Sequence, residues 1–184
     1  MQNRAALLAA AFGIAAAAAC GSSSTTTVKN NPPPPSKIVN FTASLMPGNE
    51  PSTTGNPTGS GTFTATLDTS TNVFTYDVRF SGLTSNVTLG HIHGPFTPGG
   101  TATQAGVILN FDPAVTPGAT FVGLKTATSG SATGTVVLTA ATSFTATVNG
   151  DSLKKLLLAG LTYANIHTVT NGGGEIRGQI TVVH

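Results

Sequence analysis

Hydrophobic and polar residues alternate with a period of two along most of the chain after residue 37. Three segments repeat nearly the same pattern, with Phe, Ala and a branched aliphatic residue on one face and Thr or Ser on the other: Phe41–Leu45, Phe63–Leu67 and Phe144–Val148. A fourth segment, Phe74–Phe80, has an aromatic inner face. Since successive side chains of a strand point to opposite faces, the pattern predicts strands with one buried face.

Further strands are predicted between clusters of Gly, Pro, Asn and Ser. They are Val87–His93, Gly106–Phe111, Ala132–Thr139, Thr162–Thr168 and Gly174–Val183. Many short strands of this kind predict an all-β sandwich or barrel. One short helix is also predicted from Leu153, Leu156 and Leu157, which fall at helical spacing. We expect Asp151 or Ser152 to cap its start, Gly160 to end it, and its leucines to cover the β core.

The N-terminal segment predicts export and lipid attachment. Ala5–Ala19 is an unbroken apolar run of 15 residues, which is short for a membrane span and typical of a signal-peptide core. Small residues then lead directly to Cys20, the only cysteine, as in a bacterial lipoprotein cleavage site. We predict a signal peptide at 1–19 and a lipid on Cys20. The alternative is an ordinary secretory signal followed by an incidental cysteine.

Residues 20–36 are predicted to be a tether between the lipid and a domain at 37–184. Ser and Thr tracts stay solvated, and the run Pro32–Pro35 adds a stiff spacer. This layout predicts a bacterial cell-envelope protein held to a membrane by its lipid, at the outer membrane and periplasm or at the cell surface. Without Arg4 the charge balance is 7 Lys and Arg against 6 Asp and Glu, so nucleic acid is not expected as a partner.

Ionisable residues are scarce, since only 8% of the chain is charged, yet several gather in two places. Three of the four histidines are His91 and His93, in one predicted strand, and His167, in another. His91 and His93 share one face of their strand because a single residue separates them. Glu175 lies across the hairpin turn Asn171–Gly174 from His167. No nucleophile motif accompanies these residues, and no catalytic residue is assigned.

Two interpretations of this face stay open, because the strand order decides whether the histidines meet. In the first, His91, His93, His167 and Glu175 bind copper or zinc, since imidazole and carboxylate suit both metals. In the second, they form a hydrogen-bonded polar patch with Asn165 and Arg177. Direct contact with a protein or glycan ligand is a third use of the same face.

The motifs at His91–Pro95, Ala105–Ile108, Tyr163–Thr168 and Gly173–Gln179 together resemble the CHRD domain, named for chordin and also found in bacterial secreted proteins. The resemblance covers about Ile38 to Val183. It implies an immunoglobulin-like Greek-key sandwich or barrel, distantly similar to copper–zinc superoxide dismutase. His91 and His93 resemble the His-x-His strand that supplies copper ligands there.

The rest of the dismutase ligand set is not recognisable in this sequence. Chordin binds secreted growth factors, so the resemblance implies a non-enzymatic binding module. The alternative is a copper- or zinc-binding metalloprotein, and dismutase-like activity is the least favoured interpretation.

Overall fold

The structure, a computed structural model, describes residues 37–98 and 103–184. They form nine antiparallel strands and one α-helix. The elements are β1 (Ile38–Leu45), β2 (Ser60–Asp68), β3 (Val73–Ser81), β4 (Val87–His93), β5 (Val107–Asn110), β6 (Thr120–Val122), β7 (Gly130–Val137), α1 (Gly150–Leu158), β8 (Thr162–Thr168) and β9 (Ile176–Val182). The prediction of an all-β sandwich or barrel with one short helix is confirmed. The predicted signal peptide, the lipid on Cys20 and the whole tether lie outside the described residues.

The strands form one sheet in the order β5-β4-β8-β9-β1-β2-β3-β7-β6, which curls into a half-barrel. The register of β1 and β9 contains two residue pairs, Phe41 with Val182 and Thr42 with Thr181. Those pairs join the group β5-β4-β8-β9, which carries the histidines, to the group β1-β2-β3-β7-β6. Among the described residues, no helix is long and apolar enough to cross a membrane.

Alternation in β1, β2 and β3 builds the core as predicted. In β2, Phe63, Ala65 and Leu67 are buried while the residues between them are exposed. Phe74 packs edge-on against Phe41, with ring centroids 6.2 Å apart. Fully burying one such side chain contributes about 1.5–3 kcal/mol, so the alternation is the main source of stability in this half of the sheet.

The predicted strand Phe144–Val148 is wrong. Val148 O accepts hydrogen bonds from the backbone N–H groups of Phe144 and Thr145, which closes a bend. The Thr145 hydroxyl oxygen accepts from the N–H groups of Thr147 and Val148, at 3.2 and 2.9 Å. These local bonds use the groups that a strand would offer to a neighbour, and threonine favours such turns. Phe144 and Val148 still pack, partly buried, against the core.

The N-cap of helix α1 lies two residues before Asp151 and three residues before Ser152, the two predicted caps. The Asn149 side chain is the N-cap and accepts a hydrogen bond from Ser152 N at 2.9 Å. Leu153 and Leu157 are fully buried in the core, as their spacing predicts. Gly160 follows with a φ of +66°, the left-handed conformation that glycine adopts readily at the end of a helix.

Candidate metal centre

The three histidines come from two strands that pair directly. In the antiparallel register of β4 and β8, His91 lies opposite Asn165, His93 opposite Tyr163, and Leu89 opposite His167. Alternation and this pairing put His91, His93, Asn165 and His167 on one face of the sheet. That face is covered, because the histidine residues are only 5–8% exposed. The sequence predicted that His91 and His93 share a face, left their meeting with His167 open, and did not anticipate the burial of this face.

One ligand atom from each histidine lies within 4.8 Å of the other two. His91 Nδ1 is 3.1 Å from His167 Nε2, and the ring centroids of His93 and His167 are 6.2 Å apart. Among the described residues, this is the one group of three or more His, Cys, Asp or Glu with metal-binding spacing. We call His91, His93 and His167 the histidine triad.

Backbone carbonyls hold two of the three rings. His93 Nδ1 is 2.8 Å from Ala105 O, and His167 Nδ1 is 2.9 Å from Gly172 O. Because a carbonyl oxygen only accepts, each of these Nδ1 atoms donates a proton, and in a neutral ring Nε2 is left with its lone pair. His91 Nδ1 is then placed to donate to His167 Nε2. His93 Nε2 and His167 Nε2 therefore carry lone pairs, and His91 Nδ1 offers one as well only when its proton lies on Nε2.

Asn165 lies at the centre of the triad. Its Oδ1 is 3.1 Å from Nε2 of both His93 and His167, and its Nδ2 donates to Glu50 Oε1 at 3.4 Å. The Glu50 side chain is only 1% exposed. Gly174 has a φ of +129° and leaves the space that the Glu50 carboxylate occupies, since a Cβ there would overlap it. Burial raises the pKa of Glu50, against the opposing charge of Arg177 and the hydrogen bond from Asn165.

Arg177 closes one side of the site. Its Nε donates to Asn49 O at 3.0 Å and its Nη1 to Thr103 O at 2.9 Å. The guanidinium carbon lies 4.4 Å from the centre of the Tyr163 ring, and the same ring stacks on His93 with centroids 4.8 Å apart. Arg177 Nη1 is also 4.0 Å from Glu50 Oε2. The arginine therefore fixes two loops against β8 and β9 and brings a positive charge close to the triad.

The triad is neutral over a wide range of pH. Burial, with repulsion from His167 and His93, lowers the pKa of His91 to about 3. Burial also lowers the pKa of His93 and of His167, although the hydrogen bonds to Ala105 and Gly172 oppose it. Neutral imidazole is the form that binds metals, so burial prepares the rings for a cation other than the proton.

Glu175, predicted as a fourth ligand, is placed elsewhere. Its Oε1 accepts from Thr84 N at 2.7 Å, and its Oε2 accepts from the hydroxyls of Thr84 and Thr168 and the Asn171 amide, at 2.6, 2.7 and 3.2 Å. Burial alone would raise the pKa of Glu175, but these hydrogen bonds together lower it. The reason is local. Glu175 lies in the bend before β9, so the strand alternation behind the prediction does not apply to it.

Two residues of the site were missed in the sequence. Glu50 and Phe96 lie in segments without a periodic pattern, and Phe96 packs against both Tyr163 and Arg177, with its ring centre 5.0 Å from each. The only signal in the sequence that could have pointed to Glu50 is the scarcity of acidic residues, since it is one of six in the chain. His184 is at the exposed C-terminus and is not part of the triad.

Comparison with known families identifies the class of protein that this fold and site define. The family model of the CHRD domain matches residues 41–180, which include the whole histidine triad and all nine strands apart from the first three residues of β1 and the last two of β9. The chain belongs to the CHRD domain family. No curated protein and no solved structure matches it.

Proposed function

We propose that this protein is a lipid-anchored protein of the bacterial cell envelope whose CHRD domain is a non-enzymatic binding module, and that the triad binds a copper or zinc ion. One observation supports the metal most strongly. Three buried, neutral imidazoles place their ligand atoms within 4.8 Å of one another. Imidazole is a ligand that copper and zinc both accept.

The surroundings of the triad support the same proposal. Metal-binding histidines usually donate their second ring N–H to a carbonyl or carboxylate, which fixes the ring and raises its basicity. His93 and His167 have such partners in Ala105 O and Gly172 O. A metal bound at His91 Nδ1 would take the place of the proton between His91 and His167, and that proton would move to His91 Nε2. Binding to the neutral rings would release no proton near pH 7, and it is expected to weaken only where acid protonates the rings.

The alternative is that the triad binds no metal and is held together by hydrogen bonds alone. If the Asn165 amide is turned over, it donates to His93 Nε2 while His167 Nε2 accepts from His91 Nδ1, and the amide oxygen faces Glu50. The raised pKa of Glu50 favours a proton on that carboxyl. In that arrangement the face would be a polar patch, and a protein or glycan ligand would be the remaining candidate.

Catalytic turnover is not part of the proposal. Among residues 37–98 and 103–184, no second cluster of His, Cys, Asp or Glu accompanies the triad.

We expect the full chain, purified in detergent with Cys20→Ser to remove the competing thiol, to bind close to one equivalent of copper or zinc. Elemental analysis and titration would measure it. The double variant His91→Ala/His93→Ala should lose the metal, since it removes two of three ligands. The matched control, His184→Ala, should keep it.

A Kd weaker than about 1 μM for both metals, or roughly −8 kcal/mol, would overturn the metal-binding part of the proposal. That result would favour the metal-free, hydrogen-bonded polar patch, and a protein or glycan ligand would then be the candidate partner.

The lipid anchor is tested separately. We expect labelled palmitate to be incorporated into the wild-type chain and not into Cys20→Ser, because the thiol is the attachment point. Several acyl chains hold a protein firmly, so the wild-type chain should stay with membranes during a high-salt wash. Label in the Cys20→Ser protein, or none in the wild type, would contradict the anchor without affecting the proposed metal site.

A further inference from the structure

The triad offers a metal only uncharged ligands. Among the described residues, no carboxylate belongs to the cluster. The nearest acid in the network, Glu50, reaches it through the Asn165 amide and lies 4.0 Å from Arg177 Nη1, which offsets its charge. A bound cation would therefore keep most of its charge within a buried site.

Arg177 makes added positive charge less favourable still. Its guanidinium lies on the Tyr163 ring, and the same ring stacks on His93. Burial is the main cause of the lowered pKa of His93, and repulsion from Arg177 adds a smaller effect in the same direction. The glutamate and the arginine together add no net negative charge to attract a dication.

The cost of burying an ion grows with the square of its charge, so a dication costs about four times as much as a monocation in the same surroundings. Zinc also takes four ligands and would need one more beyond the triad. Copper is the imidazole-binding metal of this class that is stable as a monocation. Resting on the proposed function, we infer that the triad binds Cu(I) in preference to both Zn(II) and Cu(II).

Anaerobic competition titrations test this inference on the full chain with Cys20→Ser. Cu(I) would be supplied against a chromogenic Cu(I) chelator, and Zn(II) and Cu(II) against chelators of their own. We expect the Kd for Cu(I) to be at least about 100-fold below that for Zn(II). We also expect it to lie below that for Cu(II).

The three outcomes are distinguishable. A Zn(II) or Cu(II) Kd equal to or below that of Cu(I) would overturn the preference and leave the metal site standing. Absence of binding by all three ions, with His91→Ala/His93→Ala and His184→Ala behaving alike, would overturn both proposals. Cu(I) binding lost only in the triad variant would support both.

A charge variant tests the cause. Arg177→Gln removes the positive charge, and Arg177→Lys keeps a positive charge while it also disrupts the hydrogen bonds of the guanidinium to Asn49 O and Thr103 O. We expect the ratio of Zn(II) to Cu(I) dissociation constants to fall about tenfold in Arg177→Gln relative to Arg177→Lys. Circular dichroism would show that both variants fold. Equal ratios of the Zn(II) and Cu(I) dissociation constants in the two variants would contradict the role of Arg177. The preference for Cu(I) itself is measured on the chain that keeps Arg177, so that result does not depend on either variant.

Discussion

Replacing Glu175 with alanine is expected to lower the free energy of unfolding by about 3–5 kcal/mol. Its carboxylate accepts four hydrogen bonds, from Thr84 N, the Thr84 and Thr168 hydroxyls and the Asn171 amide. The residue is 0% exposed. Removing it leaves the buried donors of Thr168 and Asn171 without this acceptor, and each such donor costs about 1–3 kcal/mol. The two donors of Thr84, which is exposed, can turn to water.

The size of the effect follows from what Glu175 joins. Thr84 lies in the loop before β4, Thr168 ends β8, and Asn171 begins the hairpin to β9. Asn171 Oδ1 also accepts from Thr54 N at 2.6 Å, which extends the network to the loop after β1. Loss of the carboxylate would loosen three connections beside the triad at once.

Urea unfolding at pH 7 would measure the effect on the full chain with Cys20→Ser. Glu175→Gln keeps the shape of the side chain but turns an N–H group towards some of the donors. Its free energy of unfolding should therefore lie between those of the parent chain and Glu175→Ala. Asp151→Ala is the matched control, because Asp151 is exposed in the first turn of α1 and contributes at most about 1 kcal/mol there. A Glu175→Ala protein as stable as the Asp151→Ala protein would contradict the structural role assigned to Glu175.

The strands that could be predicted are those with a local signal. Phe63, Ala65 and Leu67 alternate with threonines, and that information lies within five residues. Phe144–Val148 has almost the same pattern and bends instead, because Thr145 bonds to its own backbone. β6 was not predicted, since three residues are too few to show a period.

Half of the candidate site could also be predicted. Alternation is enough to place His91 with His93 on one face. Their meeting with His167 required β4 to pair with β8, which depends on the order of strands that are more than seventy residues apart in the chain. The burial of the site comes from segments without regular patterns, which carry Glu50 and Phe96. Local periodicity has no information about such covering loops.

The metal-free protein is expected to lose stability steadily as the pH falls from 6.5. The folded state holds the triad neutral, with the pKa of His91 lowered by burial to about 3 from an ordinary value of 6.5. The unfolded chain takes up protons below 6.5 while the folded chain does not, so acid favours unfolding. For His91 alone the whole shift corresponds to the order of 4–5 kcal/mol, of which about 2–3 kcal/mol falls between pH 6.5 and 4.5.

Two glutamates near the triad also affect how stability changes with pH, but their effects can be told apart from that of the histidines. The pKa of Glu50 is raised, so its protonation in the folded state makes up part of the loss as the pH falls towards 4.5. The pKa of Glu175 is lowered, so its stabilising effect is lost only below 4.5. The Arg177 guanidinium also lies beside the site, on the ring of Tyr163. The interval from pH 6.5 to 4.5 therefore reports mainly the histidines.

Urea unfolding in EDTA at several pH values across that interval would measure the slope. His91→Gln removes one of the buried rings, so its stability should fall less steeply than that of the parent chain, by up to about 1.4 kcal/mol per pH unit. His184→Gln, which removes the exposed histidine, should leave the slope unchanged. Parallel curves for all three proteins would mean that His91 takes up its proton in the folded state, and the neutral triad on which metal binding depends would no longer hold.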